Sequence, residues 1–135
     1  MLSKFEHIGI AVKDLKQSMD LYEKLTGKKC YKIEEVESEG VITAFIQLGE
    51  TKLELLQATS ENTSIAKFIE KKGEGIHHVA FEVDDIQEET KRLSNDGFQF
   101  IYPSARNGAD NKIVNFIHPK YCGGVLTELC QEKKK

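Results

Sequence analysis

The sequence predicts an α+β fold. Two βαβββ modules form one curved eight-stranded sheet with helices outside, a concave inner face, and a further helix linking the modules. Three observations predict it. The segments HIGIAVKDLKQSMDLYEKL and HVAFEVDDIQEETKRLSND, starting at His7 and His78, align at an offset of 71 residues, so that Val12 meets Val83, Asp14 meets Asp85 and Leu15 meets Ile86. Each opens with the apolar alternation of a half-buried strand, passes an aspartate suited to cap a helix, and runs into helical spacing closed by Gly27 or Gly97. Three β-rich runs follow each glycine.

In chain order, HIGIAV is the first strand and the segment after Asp14 the first helix. CYKIEEVE, VITAFIQL and TKLELLQ are the next strands, separated by SEG and GE. The segment SENTSIAKFIEKKGEG carries Ile65, Phe68 and Ile69 at helical spacing, with Gly73 and Gly75 behind them, and reads as the linking helix. The single domain of 135 residues thus divides into modules at about 1–72 and 73–135. In the second module the helix after Asp85 is followed by FQFIYPS, KIVNFIH and VLTELC as strands. A four-stranded sheet with one helix leaves a face uncovered, and two such sheets set edge to edge share that face as a concave site.

Composition narrows the functions this site can serve. With 39% hydrophobic and 30% charged residues the chain has ordinary globular composition, and its apolar runs are too short for a membrane span or a signal-peptide core. A cytoplasmic protein is expected. Cys30, Cys122 and Cys130 have neither disulfide-framework nor zinc-type spacing and read as reduced bystanders. A net charge of −3 with interspersed signs argues against a nucleic-acid surface, and Lys133, Lys134 and Lys135 read as a frayed, solvated end. Small-molecule chemistry remains.

Strand alternation selects the candidate residues. If Ile8, Ile10 and Val12 face the helices, His7 faces inward; if Val79, Phe81 and Val83 do so, His78 faces inward and His77 joins the helix side as a structural histidine. In the last strand of each module Leu53 and Leu55 oppose Glu54, and Val125, Thr127 and Leu129 oppose Glu128, so both glutamates can turn inward. Glu54 lies 47 residues after His7 and Glu128 lies 50 after His78, the difference fitting an insertion at HPKYCGG. Two readings stand at this level: polar residues on a half-wet sheet face, or two imidazoles and two carboxylates holding a borderline divalent ion such as zinc, cobalt, nickel or manganese.

From HIGIAVKDL through IAKFIEKKGEGIHHVAFEVDDI to NFIHPKYCGGVLTEL, the chain resembles the methylmalonyl-CoA epimerase family of the vicinal-oxygen-chelate, or glyoxalase-like, superfamily. The resemblance implies two βαβββ modules around a divalent metal whose ligand positions fall on His7, Glu54, His78 and Glu128. It further implies an acyl-CoA substrate inverted at C2, which requires one base on each face; the internal repeat sets Glu54 and Glu128 in that role, and a homodimer is expected. The alternatives are a glyoxalase I (lactoylglutathione lyase)-type isomerase and a metal-free small-molecule-binding protein on the same fold. HPKYCGGVLTEL, in place of a D-P-D-G-Y-like segment, disfavours the first, and four ligands disfavour the second.

Departures from the family pattern are equally specific. Some members have glutamine at the Glu54 position and a catalytic glutamate where this chain has Thr43, which cannot act as a base at neutral pH. The loop Arg106–Lys112, a candidate grip on the substrate carboxylate, has Asp110 and Asn111 where many relatives have paired glycines. His118, before Pro119, reads as structural, and Lys112 and Lys120 are candidates for CoA phosphates or for plain solvation. A four-residue loop at 47–50 would place Thr43 directly opposite Glu54.

Overall fold

The structure is a computed structural model describing residues 1–133; Lys134 and Lys135, part of the expected solvated end, lie outside the described residues. The elements run β1 (Leu2–Ala11), α1 (Leu15–Thr26), β2 (Lys32–Val36), β3 (Val41–Leu48), β4 (Thr51–Ala58), α2 (Ser64–Lys72), β5 (Gly75–Val83), α3 (Ile86–Asn95), β6 (Arg106–Asn107), β7 (Lys112–Ile117) and β8 (Thr127–Glu132). The hydrogen-bonding order of the eight strands is β2-β3-β4-β1-β5-β8-β7-β6. Two compact units emerge, His7–His77 and a second formed by Met1–Glu6 with the chain from His78 onward. The α+β class with a βαβββ succession on each side of α2 is the expected one.

In the His7–His77 unit, β1 contributes His7–Ala11, parallel to β4, and β3 pairs antiparallel with both β4 and β2. Asp14 begins α1 by accepting from the Gln17 amide, and Gly27 ends it in the left-handed region at φ 71. The apolar stripe Leu15, Met19 and Tyr22 packs on Ile8, Ile10, Val12, Ala44 and Leu55, fixing which strand face is dry. Thr63 caps α2 through its hydroxyl and Gly73 follows it.

In the second unit β5 is parallel to β8, and β7 is antiparallel to β8. Ser3 Oγ donates to the Glu82 carbonyl at 3.1 Å, and the Phe5 and Phe81 rings lie 5.7 Å apart. Asp85 caps α3 by accepting from two amides, and Ile86 and Leu93 pack on Val83, Ile117 and Leu129.

Two local expectations are corrected. The run 98–104 is not a full strand: it makes one bridge, Phe100 to Ile117, and regular pairing resumes only at β6. Pro103 has no N–H to give a ladder. Meanwhile the buried Asn115 side chain substitutes for a strand neighbour, its Oδ1 accepting from the Tyr102 amide at 3.2 Å and its Nδ2 donating to the Tyr102 carbonyl at 3.1 Å. The β3–β4 hairpin closes over only Gly49 and Glu50, with Leu48 opposite Thr51, because Gly49 takes φ +60 without a Cβ penalty. That shorter turn sets Phe45, not Thr43, opposite Glu54; Thr43 faces Leu56. Among the described residues no helix is long and apolar enough to cross a membrane.

Candidate metal centre

The first pair is set by the β1–β4 register. With Ile8, Ile10, Leu53 and Leu55 turned to α1, alternation sends His7 and Glu54 to the opposite face. Gly9 is the residue paired with Glu54, so no side chain competes for the space over that strand. His7 is 2% and Glu54 5% exposed, and His7 Nδ1 lies 3.0 Å from Glu54 Oε2. Lys52 Nζ is 4.0 Å from the same oxygen and 5.2 Å from the Phe45 ring centroid.

The second unit repeats this construction. Ala80, again small, is paired with Glu128, and Phe116 is paired with Glu128 as Phe45 is with Glu54. His78 Nε2 lies 3.2 Å from Glu128 Oε1, both residues being 5% exposed, and the His78 ring meets Phe116 edge-on at 5.6 Å. A further correspondence runs behind the pairs. The glutamine three residues after each glutamate pins the start of the unit's helix: Gln57 Oε1 accepts from the Leu15 amide at 2.7 Å and Gln131 Oε1 from the Ile86 amide at 2.8 Å.

Other sequence candidates occupy different surroundings. His77 packs edge-on against Phe68 of α2 with ring centroids 5.0 Å apart. His118 caps the turn Pro119–Tyr121, its Nδ1 accepting from the Lys120 amide at 3.2 Å. Lys112 is not a solvated lysine: it is 6% exposed, with Nζ 3.2 Å from Glu82, 3.3 Å from Glu132 and 4.0 Å from Glu6. Burial pulls its pKa down, but the charge of Glu6 and the bonds to Glu82 and Glu132 outweigh this, leaving it above the ordinary lysine value. Burial first, then neighbouring carboxylates, push the Cys130 thiol far up, and its Sγ donates to the Phe81 carbonyl at 3.6 Å.

In the loop Arg106–Lys112, the Arg106 guanidinium lies 3.5 Å over the Tyr102 ring and donates to its hydroxyl at 2.7 Å. Asp110 and Asn111 adopt φ 56 and 61, a left-handed turn these two residue types tolerate better than most, which is how it forms without glycines. The sequence reading gave no part to Lys52, and it did not anticipate the burial of Lys112. A lysine two residues before a ligand-type glutamate in KLEL was the available signal for Lys52.

The arrangement offers two buried imidazole–carboxylate pairs. Comparison with known proteins gives it a context. Residues 6–116 match the family model of the glyoxalase/bleomycin resistance protein/dioxygenase superfamily. The mitochondrial methylmalonyl-CoA epimerase of Dictyostelium discoideum is 39% identical over 95% of this chain and 78% of its own length. A Streptomyces coelicolor methylmalonyl-CoA epimerase variant, solved in complex with 2-nitronate-propionyl-CoA, superposes with a TM-score of 0.96 at 33% identity, covering 99% of this chain and 100% of that one. A hypothetical protein from Bacillus halodurans superposes with a TM-score of 0.93 at 42% identity, covering 98% and 96%. Matches of this extent fix descent as well as fold: the chain belongs to the glyoxalase/bleomycin resistance protein/dioxygenase superfamily, and within it to the family of the methylmalonyl-CoA epimerases.

Proposed function

We propose that this chain interconverts (R)- and (S)-methylmalonyl-CoA, with His7, Glu54, His78 and Glu128 holding one divalent ion and with Glu54 and Glu128 as its two bases. The modules 1–72 and 73–135 each supply one histidine and one glutamate. The observation that carries the reading is the repeated pair: the same residue types, with the same small residue and the same phenylalanine across from each glutamate, in a family of epimerases. The donor set fits the ion. Two imidazoles with two carboxylates, all four residues buried, suit a borderline divalent metal.

When bound, the ion supplies Lewis-acid stabilisation of negative charge on substrate oxygens. The protein's own task is the proton at C2, which is acidic because the carbon lies between a thioester carbonyl and a carboxylate. One glutamate takes that proton as the C–H bond breaks and the carbon becomes planar; the other, entering as the carboxylic acid, delivers a proton to the opposite face. In the reverse reaction the roles exchange. Each placed base is worth roughly 10² to 10⁴ in rate.

The free cysteines suit the reducing cytoplasm in which we place the protein, and a homodimer is the assembly we expect of it. Proton NMR of methylmalonyl-CoA racemisation in deuterated water, run beside a lactoylglutathione assay, tests the activity. Racemisation with deuterium incorporation is the expected result; lactoylglutathione formation without racemisation would overturn it. Elemental analysis of the purified protein identifies the metal.

A further inference from the structure

Among the described residues, the only buried side-chain nitrogen or oxygen without a hydrogen-bond partner is the hydroxyl of Thr43, a residue 0% exposed. Such an atom calls for an explanation, because folding removes its water and returns nothing. Its place in the sheet is informative. Thr43 is directly across from Glu34 of β2 and from Leu56 of β4, and Leu56 and Glu54 are two residues apart on one strand. Thr43 therefore shares a face with both carboxylates, directly opposite Glu34 and diagonal to Glu54, a diagonal separation of about 7–8 Å between strand positions that a glutamate side chain can span. Both carboxylates are turned to other groups, Glu34 to Lys32 at 3.3 Å and Glu54 to His7 at 3.0 Å. The hydroxyl is a sealed donor lying between two acceptors and bonded to neither.

We propose that Thr43 is a positioning residue for Glu54: when the Glu54 carboxylate turns from His7 to a divalent ion, the Thr43 hydroxyl donates to it and holds it in that orientation. This rests on Glu54 being a ligand. It explains why a buried hydroxyl stands where an isosteric valine would fill the space without an orphaned donor. It also distinguishes the two modules, since the residue related to Thr43 by the repeat is Val114, buried and apolar.

The test uses Thr43→Val and Thr43→Ser in the full chain, each stripped by chelator and then titrated with Co²⁺ by calorimetry, with thermal melts at both stages. In the stripped protein Thr43→Val should melt a few degrees higher than the parent, because an unsatisfied donor has been replaced by a methyl group of the same shape. Its affinity for Co²⁺ should fall about tenfold or more, the scale of one hydrogen bond to a charged group, and Thr43→Ser should restore it. A lower melting temperature for stripped Thr43→Val would mean that the hydroxyl is already partnered and would overturn the proposal, as would unchanged Co²⁺ affinity. If the parent itself takes up no divalent ion, the ligand assignment above has failed instead, an outcome visible before any variant is compared.

Discussion

The surroundings of Glu54 and Glu128 differ more than the pairs themselves do. Beside Glu54 lie Lys52 and the buried hydroxyl of Thr43; in the second unit the repeat-related position of Thr43 is Val114, and the buried cation, Lys112, comes from β7 and serves Glu6, Glu82 and Glu132. The edges differ too, β2 having five residues and β6 two. What the units keep in common is what strand register imposes: histidine on the inner strand, a small residue across from the glutamate, phenylalanine on its other side, and a glutamine tying the same strand to a helix N-terminus. The buried cations and the lengths of the edge strands have diverged.

The comparison can be broken most sharply at the two adjacent histidines. His78→Ala should reduce bound metal to near zero, whereas His77→Ala removes a ring contact with Phe68 and should leave metal content near that of the parent. Elemental analysis of the two variants decides this, and equal loss in both would mean that His77 is needed at the site.

The next effect in size concerns Lys112. Its replacement by methionine strips the counter-charge from the buried Glu6 and the partly buried Glu82, and should destabilise the fold by about 3 kcal/mol in denaturant titration. Because the folded-state pKa of Lys112 is raised, its stabilisation is fully present below the ordinary lysine value of about 10.4 and is lost as pH rises through the higher folded value. The stability gap between parent and Lys112→Met should therefore narrow only at strongly alkaline pH. Lys52→Met should cost less, since Glu54 retains His7.

The smallest effect separates the edges. Asn115→Ala removes both side-chain bonds to Tyr102 and should cost about 1–3 kcal/mol, with faster amide exchange at Tyr102, while the fully paired β2 exchanges as before.

How much of this was legible depends on whether backbone or side chain decides. The helix limits at Asp14, Gly27 and Asp85 and the face of His78 follow from caps and period-two alternation, which are local. The hairpin register is not legible in the sequence, because GE fits a four-residue loop as well as the two-residue turn that Gly49 permits, and that difference moves the residue opposite Glu54 from Thr43 to Phe45. The interruption at 98–104 was hidden because its cause, the Asn115 amide, lies thirteen residues after Tyr102 in sequence and acts only once β7 is in place. Likewise the sequence leaves Lys112 between a CoA-phosphate contact and solvation, because its three carboxylates come from β1, β5 and β8.

The claim that two repeat-related glutamates act on opposite faces of one carbon is tested most directly by enantiomer-resolved deuterium incorporation from D₂O into methylmalonyl-CoA, measured with Glu54→Gln and Glu128→Gln. Glutamine keeps a ligand oxygen but cannot take a proton. Each variant should hold its metal and lose exchange at C2 from a different enantiomer, with epimerisation down by roughly 10² or more in both. Epimerisation at the parent rate in Glu54→Gln, or loss of exchange from the same enantiomer in both variants, would contradict the assignment.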